Sequence, residues 1–485
     1  MTRKIFFLAV LAAFFYILFT PCTFADSMMD GVPARLLALG RVDSVLPDSA
    51  SMFDLYEEGF ASGILERDRQ NMISLSPLAS VNHQKYNINR GSDQFTFNFM
   101  DDKNNYINCW LDDNDVIVVK PYYFYTGEVE YHSSNMYSWN KFFGGEIQYA
   151  SRIDKNITTG AMFRYAVYNK EFKVSSFTTS DGTVLSGIYM WASKPEFLAD
   201  LCYKISDSLS IALSAGHKQG LLGNIKTLPG NDSIASFSNI AAFSGYESNI
   251  SSPPDNTKNE FDARGINIGA GAAYRINNVI EALLTFGAIL DRSYTGSVMA
   301  NNTGYDSLTG TEYDASFKFR YHAGENLIFA AAALGTVYDY AYHRGFVLVG
   351  MPVSGRNTDF QVLVSGGASY TDGTFSVPLE LFAETGSAGG YYIQKYAGVR
   401  GGAEYNLSKL ITLRLGCNWP FLMEKLSGIT AVSDIEATGG IAIKTELMDL
   451  AVGAGYTVYD DININPHATM DRRNWDVRLD VKIPL

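Results

Sequence analysis

Nine charged side chains stand between apolar residues in stretches that alternate with a period of two, and they are the best candidates for chemistry in this sequence. If these stretches are strands of a membrane barrel and their apolar faces meet lipid, their charged faces point into the barrel lumen. An Arg or Lys on the lipid side would cost about 2–4 kcal/mol at mid-membrane. The set mixes both signs, so we expect these residues to form an internal ion-pair network. A filter that selects ions of one charge is the alternative interpretation. The lumen-facing candidates are Arg164, Lys318, Arg320, Glu380, Arg400, Glu404, Arg414, Lys444 and Arg478.

The histidines, serines and cysteines give no sign of catalysis or of a metal site. The six histidines show no His-x-x-x-His or similar spacing, and the sequence offers no nucleophile elbow for a Ser-His constellation. Cys109, Cys202 and Cys417 are scattered and are expected to be apolar wall residues. Asp460 and Asp461 could bind calcium, but a solvated loop is the simpler interpretation. We therefore expect no enzyme, no metal site and no cofactor.

The elements that would position the charged residues are long strands with period-two alternation. The last strand shows the pattern most clearly, with Trp475, Val477, Leu479, Val481, Ile483 and Leu485 alternating with mostly charged residues. Strands of about ten residues, with tight turns alternating with longer polar loops, favour a transmembrane barrel over a β-sandwich. The longer loops include 220–262 and 291–311.

Tyrosines mark one rim of this expected barrel. Six of them close an apolar run just before a short polar turn, where an aromatic ring with a polar hydroxyl suits the boundary between hydrocarbon and water. They are Tyr149, Tyr203, Tyr274, Tyr321, Tyr370 and Tyr405.

Residues 1–25 have the features of a secretory signal peptide. Arg3 and Lys4 precede the apolar run from Ile5 to Phe19, and small residues before position 26 predict cleavage after Ala25. Removing two positive charges would change the net charge from −13 to −15. An acidic chain without a basic cluster argues against nucleic acid as a partner.

The pattern predicts an all-β protein, a transmembrane antiparallel barrel of about 16 strands with a range of 14–18. Seven hairpins and the terminal strand make 15, and residues 116–131 would close the count at 16. If Phe95–Phe99 and Tyr106–Leu111 also join, the count becomes 18. We expect residues 1–25 to be the signal peptide, 26–91 an N-terminal plug and 92–485 the barrel.

The N-terminal segment resembles the hatch of the long-chain fatty-acid transporter (FadL-type) family. Ala34-Arg35 and Leu39-Gly40 match that family, and Asp48-Ser49-Ala50 stands where its acidic segment belongs. Its usual Asn-Pro-Ala element is absent, and residues 57–62 take that place. The hatch candidates are thus Arg35, Gly40 and Asp48. An unrelated periplasmic extension is the alternative interpretation of residues 33–65.

The resemblance implies a 14-stranded barrel, plugged by the hatch, that passes hydrophobic molecules laterally. Some relatives of the family serve protein secretion instead. The terminal strand also resembles the signal read by the outer-membrane assembly machinery, although it ends in Leu485 rather than Phe or Trp.

We therefore expect a protein of the Gram-negative bacterial outer membrane that passes small solutes passively, hydrophobic ones among the candidates. The alternative is a non-transporting surface barrel that acts as a scaffold, adhesin or secretion partner through its loops. The expected partners are outer-membrane lipid, the assembly machinery and a hydrophobic small molecule, with no nucleic acid.

Overall fold

The structure is a computed structural model, and it describes most of the chain after residue 70 together with parts of the N-terminal segment. The described residues are 34–39, 41, 55, 60–66, 71–87, 92–101, 105–131, 136–178, 184–218, 222–227, 259–276, 279–300, 302–343, 354–388, 392–425, 435–465 and 468–485. The expected signal peptide and the hatch candidates Gly40 and Asp48 lie outside them.

Two short helices precede a succession of strands. Helix α1 spans Ala34–Ala38, and a 3-10 helix spans Ala61–Glu66. The strands are β1 Met72–Leu75, β2 Pro77–Asn87, β3 Ser92–Asp101, β4 Tyr106–Trp110, β5 Asp115–Tyr131, β6 Met136–Arg152, β7 Ile157–Thr178, β8 Val184–Ser206, β9 Leu209–Lys218, β10 Leu222–Thr227, β11 Asn259–Ile276, β12 Ile280–Ala300, β13 Asn302–His322, β14 Leu327–His343, β15 Ser354–Thr371, β16 Phe375–Ala388, β17 Tyr392–Asn406, β18 Ile411–Lys425, β19 Ile435–Lys444, β20 Asp449–Asn465 and β21 Ala468–Pro484. Neither described helix is long and apolar enough to cross a membrane.

The 21 strands form one closed antiparallel sheet. Strand β21 pairs on one edge with β20, and on its other edge with β1 and β2 in turn. Strands β4 and β3 likewise share one position between β1–β2 and β5, and β9 and β10 share one between β8 and β11. A sheet whose first and last strands pair has no free edge, so the fold is a β-barrel.

With shared positions counted once, the barrel has 18 strand positions. The expected number of 16 was too low, and so was the number of 14 that the family resemblance implied. Counted as 21 separate segments, the strands exceed the expected range of 14–18, and counted as positions they reach its upper limit. Residues 95–99 and 106–110 do join the wall but occupy one position, and residues 72–87 add another. Residues 72–87 belong to the segment expected to be the plug and lack clear apolar–polar alternation, so the sequence pattern did not predict their strands.

The strand alternation separates an apolar outer face from a polar inner face. On β8, Phe197 is 51% exposed, whereas its neighbours Glu196 and Asp200 are each 6% exposed. On β14, the outer face is apolar from Phe329 to Val337, a length close to the about 9–11 residues that a tilted strand needs to cross a bilayer. This apolar stretch is the surface expected to contact lipid.

The six tyrosines lie on the outer face beside the short turns. Each is between 40% and 45% exposed, and each precedes a turn that the described residues contain at least in part. They therefore form one aromatic rim of the outer surface, as the sequence predicts.

Several short turns are closed by the side chain of their first polar residue. The carboxylate of Asp154 accepts hydrogen bonds from the backbone N–H groups of Asn156 and Ile157, at 2.7 and 2.9 Å. Asp372 accepts them from Thr374 and Phe375 at 3.0 and 2.7 Å. These backbone hydrogen bonds, led by that of Phe375, hold the pKa of the exposed Asp372 carboxyl below its usual value.

At the end of the barrel opposite the short turns, some hairpins are built from much longer strands. β7 and β8 contain 22 and 23 residues, and β12 and β13 contain 21 each. At about 3.3 Å per residue, β8 is roughly 75 Å long, well beyond the hydrocarbon core of about 30 Å. Even when tilted, such hairpins project past the apolar surface on this side.

Candidate functional site in the barrel lumen

The first described part of the N-terminal segment, residues 34–39 and 41, is named the helix anchor. Proline before the helix and glycine after it are typical helix boundaries, and the Ala-Arg-Leu-Leu-Ala stretch between them has high helix propensity. Ala34, Leu37, Ala38 and Leu39 are fully or almost fully buried. Their neighbours are residues of β18 to β21, together with Gly402 on β17 and Ala330 on β14, so the helix anchor lies inside the barrel.

Glycines on the inner face make room for this helix. A Cβ at Gly453 would lie 2.3 Å from the carbonyl oxygen of Ala34, and one at Gly440 would lie 2.7 Å from the Cβ of Ala38. A Cβ at Gly402 would lie 3.0 Å from Leu39. Side chains at these positions would overlap the helix, so the wall is shaped as a glycine-lined groove for it.

Two arginines of the helix anchor bind acidic groups of the wall. Arg35 pairs with Glu404 at 2.9 Å, and Arg414 from the wall reaches the same carboxylate at 2.7 Å. The guanidinium of Arg41 contacts both Glu436 and Asp476 at 2.7 Å.

These carboxylates need the arginines because they lie out of water. Glu436 is 3% exposed and Asp476 is 2% exposed. Burying two carboxylates costs a large desolvation free energy unless they are paired, so Arg41 stabilises both.

The second described part, residues 60–66, is named the 3-10 anchor, and it contacts the opposite wall. The carboxylate of Asp200 on β8 accepts hydrogen bonds from the backbone N–H groups of Ala61 and Ser62, both at 2.9 Å, and from the Ser62 hydroxyl. Gly160 on β7 provides the space, because a Cβ there would lie 2.4 Å from the Ser62 nitrogen. A wall carboxylate thus caps the first N–H groups of the 3-10 helix.

Apolar packing completes the contact of this anchor. Phe60, together with Leu55, packs on Cys202, Ala212 and Leu283 of the inner face. Ile64 and Leu65 pack in a second cluster with Trp110, Val116, Val118 and Ala150. The two anchors therefore contact different parts of the inner wall, the helix anchor mainly β18 to β21 and the 3-10 anchor mainly β5 to β8.

Seven of the nine predicted lumen-facing residues lie in inner-face ion pairs or hydrogen bonds. Arg164 binds Glu146 and Glu196 at 2.6 and 2.9 Å, and Arg320 binds Glu281 at 2.9 Å. The remaining members are Arg400 with Glu380 at 2.6 Å, Arg414 with Glu404, and Arg478 with Ser76 and Asp480.

The other two candidates are the lysines of the set. Lys318 shares the inner face with Arg320 and is partly buried. Lys444 has a side chain 76% exposed at the end of β19, 4.0 Å from Asp449, so it lies at the rim rather than inside the network.

Sequence reasoning missed most of the acidic partners and one arginine. Glu146, Glu196, Glu281, Glu436 and Asp200 all stand between outward-facing residues, so the strand alternation carried a signal for their side of the wall. The alternation carried no signal for which cation each would meet. Arg41 belongs to the N-terminal segment and could not be paired with β19 and β21 without the fold.

A cavity of about 230 Å³ lies beside the 3-10 anchor. It is lined by Phe60 and by residues of β7, β8, β9 and β11 to β13. Along β7 and β8, its lining residues Arg164 and Glu196 lie farther from the short turns than Gly160 and Asp200 do. Among the described residues, no cluster of three or more His, Cys, Asp or Glu side chains could hold a metal ion.

Comparisons with known proteins match the chain only to solved structures. No protein-family profile matches the chain, and no curated protein matches it. The toluene transporter TodX of Pseudomonas putida is 11% identical, with 96% of this chain and 100% of that chain covered and a TM-score of 0.39.

Two further solved structures show a similar level of likeness. A FadL homologue of Pseudomonas aeruginosa is 11% identical, with 95% and 99% covered and a TM-score of 0.41. The toluene transporter TbuX of Ralstonia pickettii is 12% identical, with 94% and 99% covered and a TM-score of 0.37. All three matches thus extend over almost the whole of both chains at low sequence identity.

Proposed function

We propose that this protein is an outer-membrane channel that passes small solutes by diffusion around a plug formed by its N-terminal segment. The observation that carries the proposal is the fixing of two parts of this segment, residues 34–39 and 41 and residues 60–66, to different sides of the inner wall. Held there, they narrow the passage, and a cavity of about 230 Å³ lies beside Phe60.

The proposed orientation follows from the two ends of the barrel. Short turns and the tyrosine rim mark the periplasmic side, because barrels of this class carry tight turns there and long loops outside. The cavity then lies on the side of the 3-10 anchor that faces the cell exterior, where a solute from outside would meet Phe60 of the plug.

The test compares the full-length protein with a variant that lacks residues 26–70. The deletion must stop before Met72, because β1 and β2 pair with β21 and close the barrel. We expect the full-length channel to show a small, measurable flux in liposome-swelling and planar-bilayer assays, and the deletion variant to show a several-fold larger one. Circular dichroism of both proteins controls for folding of the barrel. Identical, negligible flux through both folded proteins would contradict the proposal.

The long strands favour a second candidate, a non-transporting surface barrel. The hairpins β7–β8 and β12–β13 project beyond the apolar surface, and such projections suit an adhesin, a scaffold or a partner in protein secretion. Capture of one specific secreted protein from native membranes, lost when residues 170–190 are shortened to a tight turn, would favour this candidate. Shortening the β12–β13 hairpin in the same way serves as a control for nonspecific loss of surface.

A further inference from the structure

We propose that the N-terminal segment also holds the barrel closed, as a strap on the inside of the seam at which β1 and β2 pair with β21. The strands on the two sides of this seam come from opposite ends of the chain, so no hairpin turn joins them. A strap across the seam is a structural role that does not depend on the passage of a solute, so it goes beyond the proposed function.

The ladder of backbone pairs along the seam is interrupted. Strand β21 pairs with residues 72–75 of β1 and then with residues 78–87 of β2, which leaves Ser76 and Pro77 outside this ladder. Proline has no backbone N–H to donate, and the N–H of Ser76 donates to the side chain of Asn105 at 2.6 Å. Two consecutive residues of the seam thus contribute no pair with β21.

Side chains bridge this interruption and connect it to the helix anchor. The Asp480 carboxylate on β21 accepts hydrogen bonds from the Ser76 hydroxyl and, at 2.7 Å, from the backbone N–H of Ala34. The Arg478 guanidinium donates to the Ser76 hydroxyl oxygen at 2.7 and 2.9 Å, and both residues are buried. One carboxylate of the last strand therefore binds both the junction of the first two strands and the first residue of the helix anchor.

The other end of the helix anchor also holds β21. Arg41 pairs with Asp476, which lies four residues before Asp480 on β21, and with Glu436 on β19. Between its two ends, the helix packs closely on Gly453 of β20. The helix anchor thus lies across β19, β20 and β21 and binds the last strand at two points.

The two anchors lie on the two sides of the seam. The helix anchor contacts β18 to β21, which lead up to the seam, whereas the 3-10 anchor contacts β5 to β8 beyond it. Two strand positions separate β21 from β5, one shared by β1 and β2 and the other by β3 and β4. The chain between the anchors therefore ties the strands before the seam to the strands after it. Opening of the seam would pull the anchors apart, so their contacts with the wall oppose it.

The experiment measures hydrogen exchange of the full-length protein in detergent micelles by mass spectrometry. It compares the amides of β1, β2 and β21 at the seam with those of β15 and β16, which serve as the internal reference. Arg41→Ala removes the cation that Asp476 and Glu436 share, and it should lower the protection factors at the seam about tenfold while the reference stays unchanged.

Arg35→Ala is the matched control for Arg41→Ala. It removes the other arginine of the same anchor, but its partner Glu404 lies on β17, away from the seam, and keeps Arg414 as a cation. We expect Arg35→Ala to change protection at the seam by less than about twofold.

Gly160→Ala tests the strap from its other end. Its methyl group would overlap the backbone nitrogen of Ser62 and displace the 3-10 anchor from β7, several strands away from β21. A strap predicts that protection at the seam falls severalfold, whereas a local effect would be confined to β6, β7 and β8. Gly335→Ala on β14 is the control, because a Cβ there would meet its nearest atoms at an ordinary 3.9 Å and should leave the seam unchanged.

Unchanged protection at the seam in Arg41→Ala would overturn the inference. The same result in Gly160→Ala would also overturn it, provided that the amides of residues 60–66 exchange faster in that variant. An equal loss of protection at the seam and in β15 and β16 would overturn it as well, because a general loosening of the barrel needs no strap. These outcomes concern closure of the barrel, and the flux assays test the channel function separately.

Discussion

The two anchors of the N-terminal segment are held by different kinds of interaction. The helix anchor brings two positive charges, Arg35 and Arg41, to carboxylates on β17, β19 and β21. The described side chains of the 3-10 anchor bring no charge to Asp200, and the anchor offers backbone N–H groups, one hydroxyl and apolar side chains. The helix anchor therefore contributes cations to acidic groups of the wall, with Arg414 of the wall sharing Glu404, whereas the 3-10 anchor is matched to the wall by hydrogen bonds and shape.

Because of this difference, we expect the two anchors to respond differently to salt and to mutation. Ion pairs weaken with salt and fail when one partner is removed, because a buried carboxylate is then left unpaired. Apolar packing and hydrogen bonds to backbone groups are less sensitive to salt. We expect the helix anchor to be the end of the plug that detaches first.

Among these variants, Arg41→Ala should weaken docking of the helix anchor the most and so enlarge the contrast between the two anchors. It leaves Glu436 and Asp476 buried without a cation from the plug, which weakens docking of the helix anchor by about 3–5 kcal/mol. Limited proteolysis with mass spectrometry should then show cleavage within residues 34–41 while residues 60–66 stay protected. Arg356→Ala, which breaks an exposed pair on the outer face, is the matched control. Equal protection in Arg41→Ala and the wild type would show that the ion pairs do not hold this anchor.

Gly453→Ala tests the shape of the groove under the helix anchor. The added methyl group would overlap the carbonyl oxygen of Ala34 and should weaken docking by about 1–3 kcal/mol, as overpacking does. Gly439→Ala is the control, because a Cβ there would meet its nearest atom, on Leu415, at an ordinary 3.5 Å. Hydrogen exchange of the α1 amides should rise in the first variant alone, and equal exchange in both would refute a close fit.

Ser62→Ala should weaken docking of the 3-10 anchor, by less than the two previous variants weaken docking of the helix anchor. The variant removes the hydroxyl that binds Asp200 but keeps both backbone hydrogen bonds, so we expect a loss of about 0.5–1.5 kcal/mol. The same proteolysis assay should show slightly faster cleavage near residues 60–66, with no change when salt is raised. A strong salt dependence would indicate that this anchor is ionic as well, and the contrast between the two ends would fail.

Asp372→Asn should give the smallest effect and leave both anchors unchanged. Because the folded pKa of Asp372 lies below its unfolded value of about 3.9, its contribution is present above that pH and is lost as the pH falls through the folded value. The protection factors of the Thr374 and Phe375 amides, measured relative to intrinsic exchange at each pH, should therefore fall on acidification in the wild type. An asparagine keeps the turn without titrating, so the variant should lose this dependence. Acid-sensitive protection in the variant would assign the titration to another group.

Much of the wall could be predicted from local sequence. The period of two assigns each residue to a face, which is why Phe197 and Glu196 were separated correctly, and the turn residues located six of the short turns. The first strands were missed because residues 72–87 carry too weak an alternation. The exposed Lys444 shows the same limit at a strand end, where the alternation continues past the point at which the wall meets water.

Local sequence is enough to predict the faces, the turns and the short helix, because each depends on residues within a few positions of one another. The number of strands and the partners of the N-terminal segment depend on contacts between distant parts of the chain. The closing of the sheet joins β1 and β2 to β21 across almost the whole chain, and Arg41 meets Glu436 and Asp476 from 395 and 435 positions away. Alternation gives the side of the wall on which a charge lies, but the registers of distant strands decide which opposite charge stands within reach.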